Sequence, residues 1–364
     1  MAFTVLKDER CIGCYGAGKV FRGGKEEIAF VSETEGNGTI DLVNPETLEV
    51  TRASKGPGGG MNIIPIPKRD GEFLCIQKFY PVFKSEEAVV IWGWEDEGNY
   101  THKEVLQLPF VHRIELLTVS GEDYLLCSTL CKTKEYIDDW RYPGGIYVGK
   151  IDYENREITD FHMVWTGVIQ NHGLTKIGLT GEEGVLISGK NGVNRLIPPK
   201  EGIRAAEHML EDEVCSGNKG GAADGWTVVN EIDEPTSDCV IADIDGDGEM
   251  EYGTITPFHG EHFNIYKRIA GKMQKIWTLP GTHAFGHAIW GGRLNGRNAF
   301  LVGYRSAGME LYLIEMKNGK ITADMVDVHG GPANVTVVHS SHGDLICAAN
   351  RQSDRYTVYQ EKLS

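Results

Sequence analysis

A repeating unit of short apolar segments limits this chain to few folds. In one copy, residues 62–66 and 73–77 are apolar and a polar turn at 69–72 separates them. The same pattern returns at His112 and at His172, each time with a glycine in the turn. Copies open near residues 15, 62, 112, 172, 239, 287 and 334. Segments of this length with glycine turns predict β-strands, and the spacings of 47 to 67 residues between the copies match four-stranded propeller blades.

We therefore predict an all-β fold, a seven-bladed β-propeller of four-stranded blades that forms a single domain over residues 1–364. The last copy has room for only three strands, so we expect residues 3–6 to supply its missing outer strand. Ring closure of this kind would remove exposed sheet edges. Residues 200–235 fit no blade strand well, and within them 203–212 has the pattern of a short helical insertion. The competing interpretation is a pair of β-sandwiches.

Composition and charge exclude several classes of protein. Glycine makes up 46 of 364 residues without a collagen-like period, which favours many turns. The formal net charge of −16 argues against a nucleic-acid partner, because phosphate neutralisation needs a basic face. Residues 1–10 lack the apolar core of a signal peptide, and no apolar run is long enough to span a membrane. The eight cysteines mostly lie inside apolar runs, so we expect a reduced, cytoplasmic protein with no membrane partner.

An acidic loop at residues 243–251 has the spacing of a calcium site. Carboxylates recur at alternate positions with glycines between them, and oxygen ligands in such a loop converge on a hard cation. An EF-hand would need a glutamate at position 12, which is Thr254, and helices where this chain has strand-like segments. The alternative is an acidic turn without metal. The expected ligands of a structural Ca²⁺ are Asp243, Asp245, Asp247, Glu249 and Glu251.

This loop between two strands resembles the FG-GAP/VCBS type of propeller repeat. Two further segments, 257–262 and 286–290, are similar to the propeller domain of aldos-2-ulose (anhydrofructose) dehydratases and, more distantly, to the seven-bladed lyases that cut rhamnosyl-glucuronate linkages. Both groups carry out eliminations on sugars. The resemblance therefore implies a carbohydrate lyase or dehydratase. The cupin-type region of the fungal dehydratase has no counterpart in these residues, so the resemblance implies the elimination step alone.

Polar residues are expected to meet at one mouth of the propeller. The first strand of each blade lines the central channel, and its start lies on the same rim as the end of the second strand. Candidates at the starts of first strands are His112, Arg113, Asn171, His172 and His287. Candidates at the ends of second strands and in the loops after them are Lys78, Lys190, His259, His262, Tyr304, Arg305 and Arg351.

The chemistry that suits such a mouth is β-elimination on a small saccharide with a carbonyl or carboxylate group. One of His112, His172, His259 and His287 would act as the base, and Tyr304 or a bound water would protonate the leaving oxygen. The remaining candidates would bind the substrate. Histidines from different blades could also hold a second divalent metal, Zn²⁺ or Mn²⁺. The alternative is a non-catalytic propeller that binds a glycan or a protein. A glycosidase would need two facing carboxylates, and only Glu261 is an obvious carboxylate near this rim.

Overall fold

The computed structural model describes residues 3–204, 222 and 225–362, and within them it confirms the seven-bladed propeller. Twenty-eight strands form seven antiparallel sheets of four strands each. The described residues contain only two short 3₁₀ segments, Val82–Glu87 and Arg351–Ser353, and none of their helices is long and apolar enough to cross a membrane. The helical segment predicted at 203–212 lies almost entirely outside the described residues.

Blades 1 to 6 are built from consecutive strands, each blade running from the channel outward. Blade 1 contains β2 Cys14–Arg22, β3 Lys25–Ser32, β4 Thr39–Val43 and β5 Val50–Lys55. Blade 2 contains β6 Ile63–Pro65, β7 Phe73–Gln77, β8 Val89–Asp96 and β9 Asn99–Gln107. Blade 3 contains β10 Val111–Val119, β11 Glu122–Thr129, β12 Gly144–Asp152 and β13 Glu157–Val168. The next three blades are β14 Gly173–Lys176, β15 Val185–Gly189, β16 Gly192–Ile197 and β17 Thr227–Ile232; β18 Asp238–Ala242, β19 Glu251–Thr256, β20 His262–Ile269 and β21 Lys272–Thr278; β22 Ala284–Leu294, β23 Arg297–Ser306, β24 Leu311–Lys317 and β25 Lys320–Asp327.

Blade 7 closes the ring with strands from both ends of the sequence. It consists of β26 Asn334–Val338, β27 Leu345–Asn350, β28 Arg355–Glu361 and β1 Phe3–Arg10. Strand β1 pairs with β28 from Phe3↔Glu361 to Arg10↔Arg355 and forms the outer edge of the sheet. The prediction that the N-terminal segment supplies the missing outer strand is therefore confirmed.

The apolar core lies between neighbouring blades. Strand residues of one blade pack on those of the next, as in the cluster where Ile28 and Phe30 of blade 1 meet Tyr356 and Val358 of blade 7. Glycine allows the closest approach between blades, since a Cβ at Gly16 would lie 2.1 Å from the backbone oxygen of Met61. The seven described cysteines are all buried and free, as expected for small apolar residues.

β-Bulges interrupt the first strands of three blades at the channel rim. The pairing register shifts around Tyr15 in β2, around His112 in β10 and around His287 in β22. A bulge leaves one residue outside the ladder and re-aims its side chain. A bulge at the same position of the first strand thus removes one residue from strand pairing in each of blades 1, 3 and 6.

Candidate active site

Four histidines meet at one mouth of the channel. His112 and His287 are at the bulges, His172 immediately precedes β14, and His259 lies in the loop between β19 and β20. The ring centroid of His172 is 4.5 Å from that of His112, 4.9 Å from that of His259 and 5.1 Å from that of His287. Residues from blades 3, 4, 5 and 6 therefore form one cluster, which we call the histidine cluster.

Backbone carbonyl groups establish the protonation of two of these rings. The Nδ1 atom of His112 lies 3.2 Å from the backbone oxygen of His172, and Nδ1 of His287 lies 2.7 Å from that of Ala333. A carbonyl oxygen can only accept, so each Nδ1 carries the hydrogen and each Nε2 carries a lone pair in the neutral ring. The Nε2 atom of His287 accepts a hydrogen bond from the Tyr15 hydroxyl at 2.8 Å.

Three of the histidines have the arrangement of a metal-binding triad. One nitrogen each from His172, His259 and His287 lies within 4.8 Å of the others. The Nε2 atoms of His172 and His259 are 3.2 Å apart. Two nitrogens bound tetrahedrally to zinc at about 2.0–2.1 Å would be separated by about 3.3 Å. The spacing of the His172 and His259 nitrogens therefore fits a divalent transition metal, and His287 lies near enough to be a third ligand.

Burial keeps the cluster uncharged. It lowers the pKa of His112, His172 and His287 well below the ordinary value for histidine, and neighbouring positive or potentially positive groups lower each further. Burial, followed by the positive charge of Arg305 and Arg113, lowers the pKa of His259 to about 3. Neutral imidazole is the form that binds a metal or accepts a proton, so the cluster is in its reactive form at neutral pH.

Two arginines bring positive charge to the cluster. Buried Arg113 lies 3.3 Å from a carboxylate oxygen of Asp238 and its Nε lies 3.4 Å from the backbone oxygen of His172. Burial raises the pKa of Asp238 to about 6, although Arg113 opposes the shift. The guanidinium of Arg305 lies 5.7 Å from the ring centroid of Tyr15. Such a site favours a ligand with a negative charge or a polarised oxygen.

Aromatic side chains enclose His259. Its ring stacks on Phe258 with centroids 4.0 Å apart, and the Phe285 centroid is 4.7 Å away. Trp140, in the loop between β11 and β12, packs on Phe258 at 5.2 Å. His259 and Phe285 both have left-handed backbones, with φ of 47° and 60°. Non-glycine residues in this conformation are unfavourable and cluster at functional sites, where the surrounding structure holds them in place.

Two further predicted residues, Arg351 and Asn171, lie close to the histidine cluster. Arg351 pairs with Glu33 at the rim, and burial raises the pKa of Glu33 against the effect of that arginine. Buried Asn171 precedes His172, and its Nδ2 donates to the backbone oxygen of Thr129 at 3.0 Å.

Four predicted residues lie outside the histidine cluster. Lys78 pairs with Glu104 on the outer strand of blade 2, and His262 is an exposed residue at the start of β20. Lys190 lines a groove between blades 3 and 4. Tyr304 is buried in the core of blades 5 and 6, where it stacks on His283 at 4.5 Å.

The acidic loop brings Asp243, Asp245 and Asp247 together, with carboxylate oxygens within 4.8 Å of one another. Glu251 is fully buried, and its carboxylate accepts from the backbone of Ile244 at 2.9 Å. Glu249 is exposed, and its backbone N–H donates to a carboxylate oxygen of Asp247 at 3.0 Å. Three of the five predicted ligands, Asp243, Asp245 and Asp247, thus lie close enough together to hold one ion.

Sequence reasoning missed Tyr15, Asp238 and the aromatic residues around His259. A signal existed for Tyr15, since it opens the first copy of the repeat where His112 opens the third. Asp238 opens the fifth copy and could have been found in the same way. Phe258 and Phe285 carry no comparable signal, because an aromatic residue beside a strand is most often part of the core.

Comparisons with known proteins show a likeness in fold. No protein-family model matches the chain, and no curated protein matches it. Among solved structures, a protein from Bacteroides uniformis named as a candidate 6-phosphogluconolactonase has a TM-score of 0.58 at 12% identity, with 92% of each chain covered. A chain of the mitotic checkpoint complex has a TM-score of 0.59 at 8% identity, with 98% of this chain and 92% of that chain covered. At such identities the two structures are similar to this chain in fold alone.

Proposed function

We propose that this protein is a carbohydrate lyase or dehydratase that catalyses β-elimination on a small keto-sugar or uronic-acid-containing saccharide. The observation that carries the proposal is the convergence of three buried histidines and the half-buried His259 with Tyr15 and two arginines at one mouth. Elimination needs a base, a proton donor and a group that stabilises negative charge on the substrate oxygen. This mouth contains all three types of group. A carbohydrate substrate is also consistent with the named activity of the Bacteroides uniformis protein.

Arg305 and Arg351 would bind the carboxylate or carbonyl end of the sugar, because both are only partly buried at the rim. Arg113 would contribute positive charge from its buried position, because Asp238 and the backbone oxygen of His172 hold its guanidinium group in place. His172, His259 and His287 would hold a divalent metal such as Zn²⁺ or Mn²⁺, which would supply Lewis-acid stabilisation of negative charge on oxygen. His287 would bind the metal through Nε2 in place of the hydrogen bond that this atom accepts from Tyr15, and the Tyr15 hydroxyl would then be free to donate elsewhere.

His112 is the proposed base, because it lies outside the triad and its Nε2 keeps a lone pair. It would take the proton from the carbon next to the carbonyl or carboxylate, and that electron pair would form the new carbon–carbon double bond. The bond to the leaving oxygen breaks at the same time or afterwards. Tyr15 would give that oxygen a proton, in place of Tyr304. Burial raises the pKa of Tyr15, so its hydroxyl stays protonated at neutral pH.

The test is an absorbance scan at roughly 230–280 nm with a panel of uronides and keto-sugars, before and after chelator treatment. We expect a new conjugated double bond to absorb, and we expect Tyr15→Phe to lose most of the rate because it removes the proton donor. Tyr304→Phe is the matched control, since it removes a hydroxyl from a tyrosine of the core. Products that contain the mass of added water and no double bond would show hydrolysis and contradict the proposal.

A non-catalytic role in binding a glycan or protein is the second candidate. The aromatic residues at the mouth, Phe258 and Phe285, favour it because sugars and proteins both pack on aromatic rings. Saturable binding of a panel sugar with no change in its mass or absorbance would support this role over the enzymatic one.

A further inference from the structure

A groove lined by both polar and apolar residues opens between blades 3 and 4 on the same rim as the histidine cluster. It has a volume of about 750 Å³. One side is formed by the end of β13, and the other by the turn between β15 and β16 together with residues of β16 and β17. Ligand pockets for small molecules have volumes of about 300–1,000 Å³. The groove is therefore large enough for a sugar ring.

Amide side chains give this groove its chemistry. Asn194 is buried, and its Oδ1 accepts from Nδ2 of Asn230 at 3.2 Å. The Oδ1 atom of Asn191 accepts from the backbone of Ile169 at 3.0 Å. These bonds orient the amides and leave Nδ2 of Asn191 and Asn194 as donors and Oδ1 of Asn230 as an acceptor toward a ligand. Hydroxyl groups, which both donate and accept, match such a set.

The groove carries one positive and one negative group, Lys190 and Asp233. It therefore lacks the excess positive charge that Arg113 and Arg305 bring to the histidine cluster. Lys190 N–H also donates to the backbone oxygen of Ile169 at 2.8 Å, three residues before His172. A single backbone segment thus joins the edge of the groove to the cluster.

We propose that this groove binds a neutral sugar ring next to the ring that reacts at the histidine cluster. The choice of a sugar as the ligand rests on the proposed function. The substrate would then be at least a disaccharide, with its charged or keto ring at the histidines and its neutral ring between blades 3 and 4.

The experiment is calorimetric titration with three neutral disaccharides, maltose, cellobiose and lactose. We expect at least one to bind, and Asn230→Ala to weaken its binding at least fivefold. Asn99→Ala, an exposed asparagine of the outer strand β9, is the matched control and should bind as the wild type does. No binding by any of the three, or equal affinity in Asn230→Ala, would overturn the proposal. The readout does not depend on turnover, so failure of the elimination assay alone leaves this result interpretable.

A second, independent inference concerns the acidic loop. The ammonium group of Lys267 in β20 lies 2.6 Å from carboxylate oxygens of both Asp245 and Asp247 and 2.9 Å from one of Glu251. These three contacts raise the pKa of Lys267 despite its burial. The loop therefore already holds a cation that belongs to the chain itself.

We infer that Lys267 takes the place that calcium has in FG-GAP-type loops. Calcium binds oxygen ligands at about 2.3–2.6 Å, so it and the ammonium group cannot contact the same three carboxylates together. The predicted calcium ligands are thus present, yet a lysine from the neighbouring hairpin competes for them. Calcium would have to displace it before binding.

Thermal unfolding with calcium or with chelator tests this inference. We expect the Tm of the wild type to differ by less than about 2 °C between the two conditions, because little calcium binds. Lys267→Met should lower Tm in chelator and regain it with millimolar calcium, and the exposed Lys272→Met is the control. A calcium-dependent rise of about 5 °C or more in the wild type would overturn the inference. If Lys267→Met does not fold, calcium titration of the wild type by calorimetry decides, since submillimolar affinity contradicts it.

Discussion

Single residues of the mouth combine burial with reactivity. The four histidines are uncharged because water is largely excluded, and the same exclusion strengthens any interaction with a metal or a substrate charge. His112 and His172 are adjacent in space but have different proposed roles. This difference can be measured.

We predict that His172→Ala loses both bound metal and turnover, whereas His112→Ala loses turnover and keeps its metal. The reason is that His172 belongs to the triad and His112 does not. Metal content by mass spectrometry and the absorbance assay give the two readouts, and circular dichroism checks that each variant folds. Retention of stoichiometric metal by His172→Ala would remove that residue from the metal site.

The buried histidines also predict how stability depends on pH. Their pKa values are lowered in the folded state, so below about pH 6.5 the unfolded chain binds protons that the folded chain excludes. Stability contributed by these groups is present above that pH and is lost as pH falls toward the folded values. Asp238 acts in the opposite direction, since its raised pKa lets the folded state take up a proton near pH 6.

The destabilising effect of the four histidines at lower pH exceeds the opposite effect of Asp238 alone. We therefore predict that the metal-free protein loses a few kcal/mol of unfolding free energy between pH 7 and pH 5. Urea unfolding in chelator at both pH values measures the loss. His112→Asn should show a smaller loss than the wild type because one of the four groups is gone. A pH dependence identical to that of the wild type would mean that His112 does not contribute.

At the scale of elements, the number of blades and their closure were predictable and the orientation of particular side chains was not. The repeat spacing predicted the blade starts to within a few residues, as at 62 for β6 and at 287 for β22. Tyr304 is a residue whose orientation the repeat pattern did not predict. It lies at the predicted end of a second strand, but its side chain packs in the core because it pairs with Gly286, just before the bulge that frees His287. Only the three-dimensional register distinguishes the two orientations.

Strand β1 should contribute strongly to stability, because it covers the open edge of blade 7. We predict that deletion of residues 1–10 lowers Tm by about 5 °C or more and promotes aggregation through the exposed edge of β28. Thermal unfolding and light scattering measure the two effects, and Lys7→Ala serves as the control. An unchanged Tm with no added scattering would show that the ring is stable without this strand.

At the scale of the whole molecule, a strongly acidic protein carries arginines at one mouth. The net charge is −16, while Arg113, Arg305 and Arg351 surround the proposed substrate site. Local positive charge attracts small anions over distances of about 10 Å at moderate salt, whereas the remaining surface repels polyanions. The molecule should therefore select short anionic substrates.

This contrast predicts that kcat/KM for an anionic substrate falls as ionic strength rises from about 0.01 M to 0.5 M, because salt screens the attraction. Arg305→Gln should lower kcat/KM and flatten the salt dependence. Steady-state rates over a salt series measure both, with a neutral keto-sugar as the control substrate. An equal salt effect on the charged and the neutral substrate would contradict electrostatic attraction at the mouth.

The pairing of β1 with β28 also affects the order in which the protein can fold. Residues 3–10 are synthesised early, yet their hydrogen-bond partners at 355–361 come more than three hundred residues later. Contacts of such long sequence separation form slowly, since most of the chain must be ordered first. During synthesis β1 therefore has an unpaired edge for the whole time that blades 1 to 6 are being made. Completion of the ring, and with it of a mouth built from blades 1, 3, 4, 5 and 6, therefore depends on β28, which follows all the other strands of the propeller in chain order.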